Sequence, residues 1–261
     1  MARIFITGSA DGLGQLAARR LDALGHDVVL HGRNRDRAQA AMRAVPGART
    51  ALEGDLASIE ATRSLARKAN EAGPFQAVIH NAGVYRPGSG RDETVDGLDD
   101  VFAVNALAPY LLTALIEGPQ RLVYLTSGLH QGGDPDLRDL QGRGRRWSGS
   151  QAYANSKLFD VVLAFAVARL WPQVLSNAVD PGWVPTKMGG PSASDDLEQG
   201  FATQVWLAVS EERDAKVSGR YFYHKRTRAA HPAASDVTVQ NGFLAACEQL
   251  TGVRLPSAVR T

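Results

Sequence analysis

The alternation of short β-branched runs with longer helical stretches is what most limits how this chain can fold. Arg3–Thr7, Asp27–His31, Ala48–Leu52, Phe75–His80, Arg121–Thr126, Val174–Val179 and Arg220–Tyr223 read as strands. Gly12–Leu24, Arg35–Ala44, Ser58–Ala72, Leu98–Glu117, Gln151–Trp171 and Asp195–Val209 read as helices. A helix between two strands carries the chain back to the same edge of the sheet, so the strands run parallel through right-handed crossovers. The expectation is an α/β fold: a doubly wound, mostly parallel, seven-stranded sheet with helices on both faces.

At 261 residues, with 44% hydrophobic and 21% charged residues, the chain can bury one large core, and residues 1–261 are read as a single domain. A net charge of +2 calls for neither nucleic acid nor an anionic membrane as partner. The one cysteine, Cys247, excludes an intrachain disulfide and a cysteine-rich zinc site. The six histidines show no metal-ligand spacing, so no metal is expected. No Gly-x-Ser-x-Gly nucleophile elbow occurs. Strand-like residues begin at Arg3, which leaves no room for a secretory leader. The longest fully apolar run, Val161–Ala168, is far short of the roughly 20 residues a membrane span needs. A cytoplasmic protein is expected.

Thr7-Gly8-Ser9-Ala10-Asp11-Gly12-Leu13-Gly14 joins the first strand to the first helix. Glycines there let the backbone approach a pyrophosphate held by free N–H groups at the helix N-terminus. The second strand ends in Val28-Val29-Leu30-His31-Gly32-Arg33-Asn34-Arg35, with no acid to hold a ribose 2′-hydroxyl. Arginine at that place binds a 2′-phosphate in a charge-assisted fork, and the two arginines Arg33 and Arg35, with Asn34 between them as a further cofactor-binding candidate, point to NADP(H) over NAD(H). The negative charge of Asp11 works mildly against that reading. Asp55, before Leu56, either binds the adenine amino group or caps the next helix. Asn81-Ala82-Gly83 ends the fourth strand where the chain must pass close to a cofactor.

Tyr153 and Lys157 stand at i, i+4, which on a helix places them on one face. A neighbouring ammonium favours tyrosinate, and the pair can serve as an acid–base near neutral pH. Tyr221 and Lys225 share the spacing, but a strand-like run separates them, so secondary structure selects Tyr153.

Thr7-Gly8-x3-Gly12-x-Gly14, Asp55, Asn81-Ala82-Gly83, Asn105, Ser127, Tyr153-x3-Lys157 and Pro181-Gly182 together resemble the short-chain dehydrogenase/reductase family over nearly the whole chain. The resemblance implies a Rossmann-type fold and a catalytic tetrad. Tyr153 would be the general acid or base, and Ser127 would hold the substrate oxygen. Lys157 would bind the nicotinamide ribose and lower the tyrosine pKa, while Asn105 would position a water in the proton relay. Pro181, Gly182, Val184 and Thr186 would line the nicotinamide. The substrate would be a small carbonyl or alcohol. A non-catalytic NAD(P)-binding regulator or redox sensor on the same fold is the alternative.

The segment 128–149, with the basic run 143–146, widens the gap between Ser127 and Tyr153 to 26 residues, and this resembles the retinol-dehydrogenase-like branch. That segment and the loop 185–194 follow carboxyl ends of strands and border the expected substrate site. Tyr85, Trp147 and Trp183 are candidate pocket residues and suggest an apolar substrate. The helix Gln151–Trp171 is apolar around much of its girth, so it is buried within this chain or against a second copy, leaving a homo-oligomer open.

Overall fold

The strand signals converge on one sheet. A computed structural model describes residues 1–88, 90–144 and 146–259; Arg145 of the basic run lies outside the described residues. The strands are β1 (Arg3–Ile6), β2 (Asp27–Gly32), β3 (Thr50–Glu53), β4 (Ala77–His80), β5 (Arg121–Leu125), β6 (Leu175–Asp180), β7 (Arg220–Tyr223) and β8 (Arg226–Arg228). Their spatial order is β3-β2-β1-β4-β5-β6-β7-β8. All neighbours run parallel except β7 and β8. The strand order reverses between β1 and β4, which opens a crevice at the carboxyl ends of the strands.

The sheet has one strand more than the seven expected. β8 is a short, fully exposed Arg-Thr-Arg segment at the sheet edge. It buries no face, so it carries no hydrophobic signal. Its turn is made by His224 and Lys225, both with positive φ, a conformation that residues with a Cβ adopt only at some cost.

The helices are α1 (Gly12–Ala23), α2 (Arg35–Ala44), α3 (Ile59–Ala72), α4 (Asp100–Phe102), α5 (Ala108–Leu115), α6 (Gly149–Leu170), α7 (Leu197–Val209) and α8 (Val237–Thr251). The single helix expected over Leu98–Glu117 is interrupted by a π-helical turn, Ala103–Leu107, between α4 and α5. Pro109 has no N–H to give the Asn105 carbonyl four residues back, and the helix widens there.

Helix α8 was not among the sequence expectations. Asp236 caps its start and Gly252, with φ of 68°, ends it. Phe243 and Cys247 of α8 are fully buried, and the Phe243 ring stacks on Phe159 of α6 at 4.8 Å. Together with the neighbouring strands, α8 consumes the apolar girth of α6, which is buried inside this chain from Tyr153 to Ala164. The apolar character of α6 therefore needs no second copy to account for it.

The segment 128–149 is tied down rather than free-standing. The Asp99 N–H donates to Gln141 Oε1 at 3.0 Å, and the Trp147 indole N–H donates to Asp99 Oδ2 at 2.9 Å. No helix among the described residues is long and apolar enough to cross a membrane.

Candidate active site

The glycine turn owes its shape to close approach. Gly8 has φ of 65°, and a Cβ on it would lie 2.9 Å from the Ala82 Cα. A Cβ on Gly14 would lie 2.3 Å from Asn81 Nδ2, which donates to the carbonyls of Thr7 at 3.0 Å and Gly8 at 3.3 Å. Asn81 thus ties the end of β4 to the turn after β1, and its Oδ1 has no partner among the described residues. His31 Nδ1 accepts the Gly8 N–H at 2.9 Å, so its Nε2 carries the proton toward the Gly54 carbonyl at 2.9 Å. Burial lowers the His31 pKa to about 4, against the pull of the Gly54 carbonyl and of Asp55, and the ring is neutral.

A cleft of about 740 Å³ runs along the carboxyl ends of the strands. Gly8, Asp11, Gly12, Leu13, Arg33, Asp55, Leu56, Asn81, Ala82, Gly83, Tyr153, Lys157, Pro181 and Thr186 line it, all residues the sequence had singled out. The cleft has the form a dinucleotide needs. The glycine turn sits at its centre, guanidinium groups at one end and a buried Tyr–Lys pair at the other. Arg37, His31, Lys187 and Met188 also line it and were not anticipated. Arg37 had a readable signal as the third arginine of Arg33-Asn34-Arg35-Asp36-Arg37; Arg35, expected beside Arg33, is not on the cleft wall.

Several expected cofactor residues are not on the cleft wall. Ser9 is fully buried, and its hydroxyl accepts the His31 N–H at 2.7 Å, holding β1 to β2. Gly14 packs behind the turn, under Asn81. Asn34 caps α2 by accepting the Arg37 N–H at 3.0 Å. Gly182 packs against the Asp195 carboxylate, and Val184 is buried against Gly200 of α7. The Asp55 side chain accepts from Ala57 N at 3.0 Å, while the cap of α3 is Ser58.

Asp11 caps α1 through the Gly12 N–H at 2.8 Å and accepts from Lys187 Nζ at 2.5 Å and Arg37 Nη2 at 3.4 Å. The Lys187 hydrogen bond, helped by Gly12 and Arg37, holds its carboxyl below the usual range despite partial burial. Its negative charge is therefore already met by two cations.

At the other end, Tyr153 is 9% exposed, with Ser127 near enough to favour its ionised form and the Tyr85 ring at 4.7 Å. Lys157 Nζ lies 5.8 Å from the Tyr153 ring centre. It donates to the Leu125 carbonyl at 2.7 Å and to Asp160 Oδ2 at 2.8 Å. Burial raises the Tyr153 pKa, Lys157 and Ser127 lower it, and Asp160 and Asp180 raise it. Burial presses on the Lys157 ammonium, but the Asp160 carboxylate and Tyr153 carry its pKa above the ordinary value. Burial pushes Asp160 up to about 7 against the pull of Lys157. The ammonium, also supported by a carbonyl, is the more secure charge of this pair.

Asn105 does not reach the cleft. Its Oδ1 accepts the Val84 N–H at 2.8 Å, and its Nδ2 donates to the Val84 carbonyl at 2.9 Å and Ser156 Oγ at 3.0 Å. Both amide protons are spent, and the side chain clamps the segment after β4. Trp147 is likewise displaced. It lines a separate cavity of about 280 Å³ between the 128–149 segment and α6, with Asp99, Arg146 and Gln151. Tyr221 and Lys225 part as expected: Tyr221 donates to Asp180 Oδ2 at 3.0 Å, whereas Lys225 Nζ lies 6.0 Å from the Trp206 ring.

Known proteins bear on this geometry. The family profile described as short chain dehydrogenase matches residues 2–117. The short-chain dehydrogenase chry4 of Gibberella zeae is 42% identical over 98% of this chain and 100% of its own length. Retinol dehydrogenase 13 of Homo sapiens is 30% identical over 97% of this chain and 86% of its own, in keeping with the branch that the 128–149 segment resembles. A crystal structure of an uncharacterized protein from Mycobacterium paratuberculosis superposes with a TM-score of 0.82 at 26% identity, covering 98% of this chain and 95% of the other. With its eight-stranded doubly wound sheet and a relative this similar over its full length, the chain belongs to the short-chain dehydrogenase/reductase family and is an NAD(P)-dependent oxidoreductase.

Proposed function

We propose that this chain is an NADP(H)-dependent oxidoreductase interconverting a carbonyl and an alcohol on a substrate with an apolar body. The observation that carries the reading is the make-up of the cleft. Tyr153, with Ser127 and Lys157 about it, stands at one end, and Arg33 with Arg37 at the other. Bound at that cleft, the nicotinamide would supply or accept the hydride. Tyr153 Oη gives its proton to the substrate oxygen on reduction and takes it back on oxidation. Ser127 holds that oxygen, and Lys157 fixes the ribose and moderates the tyrosine acidity. Asn105 keeps the chain after β4 in place through Val84.

Arg33 and Arg37 support the 2′-phosphate reading, because a guanidinium fork pairs with a phosphate dianion. Asp11 offers little repulsion, since Lys187 and Arg37 already neutralise it. The apolar substrate is supported by Leu129, Trp183 and Met188, large side chains left about half exposed on the loops after β5 and β6. A screen of ketones, aldehydes and alcohols with both cofactors, followed by nicotinamide absorbance, tests the reading. Reduction of apolar carbonyls with NADPH is expected. Turnover of none, or tighter binding of NADH than of NADPH, contradicts it.

A further inference from the structure

Asp160 lies one turn beyond Lys157 on α6, inside the apolar run Leu158-Phe159-Asp160-Val161-Val162. It is 2% exposed and meets the Lys157 ammonium at 2.8 Å. An acid there is costly to bury, and an apolar residue would fill the same place without the desolvation penalty. Its partner, Lys157, is the cation that acts on Tyr153 among the described residues. Two of the three Nζ protons are committed, to Asp160 and to the Leu125 carbonyl, which leaves one for a ligand in the cleft that Lys157 lines.

We infer that Asp160 is a positioning residue of the proposed reaction, fixing the Lys157 ammonium and cancelling part of its charge at Tyr153, so that the site is biased toward reducing carbonyls. The inference rests on the function proposed above. In the reducing direction the carbonyl carbon takes a hydride and the C=O π pair moves to oxygen. That oxygen takes the Tyr153 proton, which leaves an alcohol, a tyrosinate and oxidised nicotinamide; solvent then reprotonates the tyrosine. Reduction therefore needs the neutral hydroxyl, and oxidation needs the tyrosinate. A lone buried ammonium favours the tyrosinate, whereas a Lys–Asp pair presents a much weaker field.

The other groups facing the site fit that bias. Asp180, at the end of β6, adds negative charge near Tyr153, while Ser127 and the Tyr85 ring add none. The Tyr124 hydroxyl of β5, which pairs with Thr113 Oγ1 at 2.8 Å, feels the Asp160 charge but is itself neutral, because burial drives its pKa up.

The test needs no substrate. Tyrosinate absorbance is titrated in the apo protein, with Tyr153 isolated as the difference between the wild type and Tyr153→Phe. The same difference is then taken in the Asp160→Asn background. Tyr153 should titrate above free tyrosine in the wild type and roughly one pH unit lower with Asp160→Asn. An unmoved or raised midpoint in Asp160→Asn overturns the inference. If Asp160→Asn does not fold, the wild-type difference decides alone: a midpoint below that of free tyrosine overturns it. Kinetics supply the second readout, since Asp160→Asn should lower the alkaline limb of carbonyl reduction by the same shift. A merely structural role would lower rates at every pH and leave the limb in place. A chain that reduced no carbonyl would contradict the proposed function while the titration still answered for Asp160.

Discussion

At the scale of the residue, the cleft assigns separate jobs to its two ends. Arg33 and Arg37 sit at the end of β2 and in the first turn of α2, both on the cleft wall. Replacing both by alanine should weaken NADPH roughly 10–100-fold, the loss of one or two charge-assisted bonds, and leave NADH binding nearly unchanged. Equal losses for both cofactors in calorimetric titrations would remove the 2′-phosphate from their role. Most of the wall was legible in the sequence, because a glycine turn and an i, i+4 pair are local patterns. What was not legible was direction. Ser9 and Asn34 are adjacent to wall residues but point their hydroxyl and amide at His31 and Arg37. Asn105 was found as a polar residue in an apolar helix, yet its partners at Val84 and Ser156 are 21 and 51 positions away. Asp160 carried a signal that spacing does expose, an acid one turn from Lys157 in an apolar run.

At the scale of the element, the glycine turn is held by its neighbour strand. A methyl at Gly14 would meet Asn81 Nδ2 at 2.3 Å and the Gly8 carbonyl at 2.5 Å. Gly14→Ala should cost about 1–3 kcal/mol in denaturant unfolding and weaken dinucleotide binding, although Gly14 is not on the cleft wall. Unchanged cofactor affinity would show that the turn tolerates the shift. Helix α8 makes a parallel case. Phe243 is fully buried and stacks on Phe159, one residue from Asp160. Phe243→Ala should cost about 3–5 kcal/mol of stability, the usual range for a truncated core aromatic. A loss under 1 kcal/mol would mean that α8 is not part of the cooperative core. The capping signals of α8, Asp236 and Gly252, and its buried face at Gln240, Phe243, Cys247 and Thr251 were readable at helical spacing. β8 was not, since an exposed edge strand of Arg-Thr-Arg has no apolar face to read. The break in the helix after Asp100 was readable only through Pro109.

At the scale of the whole molecule, buried titratable groups set how stability follows pH. Burial lowers His31 to about 4 and His80 to about 3, each from an ordinary value of 6.5. Between those values the unfolded chain binds two protons that the folded chain refuses, so stability falls as pH drops below 6.5. Asp160 acts in the opposite sense: raised to about 7 from 3.8, it keeps in the fold a proton that the unfolded chain releases. The two histidines, joined by the fully buried His130 that burial also lowers, outweigh the one carboxyl and leave a net loss of roughly 1–2 kcal/mol between about pH 6.5 and pH 5. Denaturant unfolding at the two pH values checks the sign, and a chain more stable at pH 5 would contradict it. Strand–helix alternation makes the doubly wound sheet legible in the sequence. The crevice at the β1/β4 switch point follows from strand order, which is a property of the assembled sheet.

The central claim is that Tyr153, beside Lys157, moves the proton at the reacting oxygen. Tyr153→Phe removes the hydroxyl and keeps the ring that packs against Tyr85. The decisive measurement is NADPH binding and carbonyl turnover on that one variant. The account predicts NADPH affinity close to wild type with turnover down by about 10²–10⁴-fold, the range for losing a positioned acid–base. Turnover at the wild-type rate would contradict it and place the proton transfer on another residue.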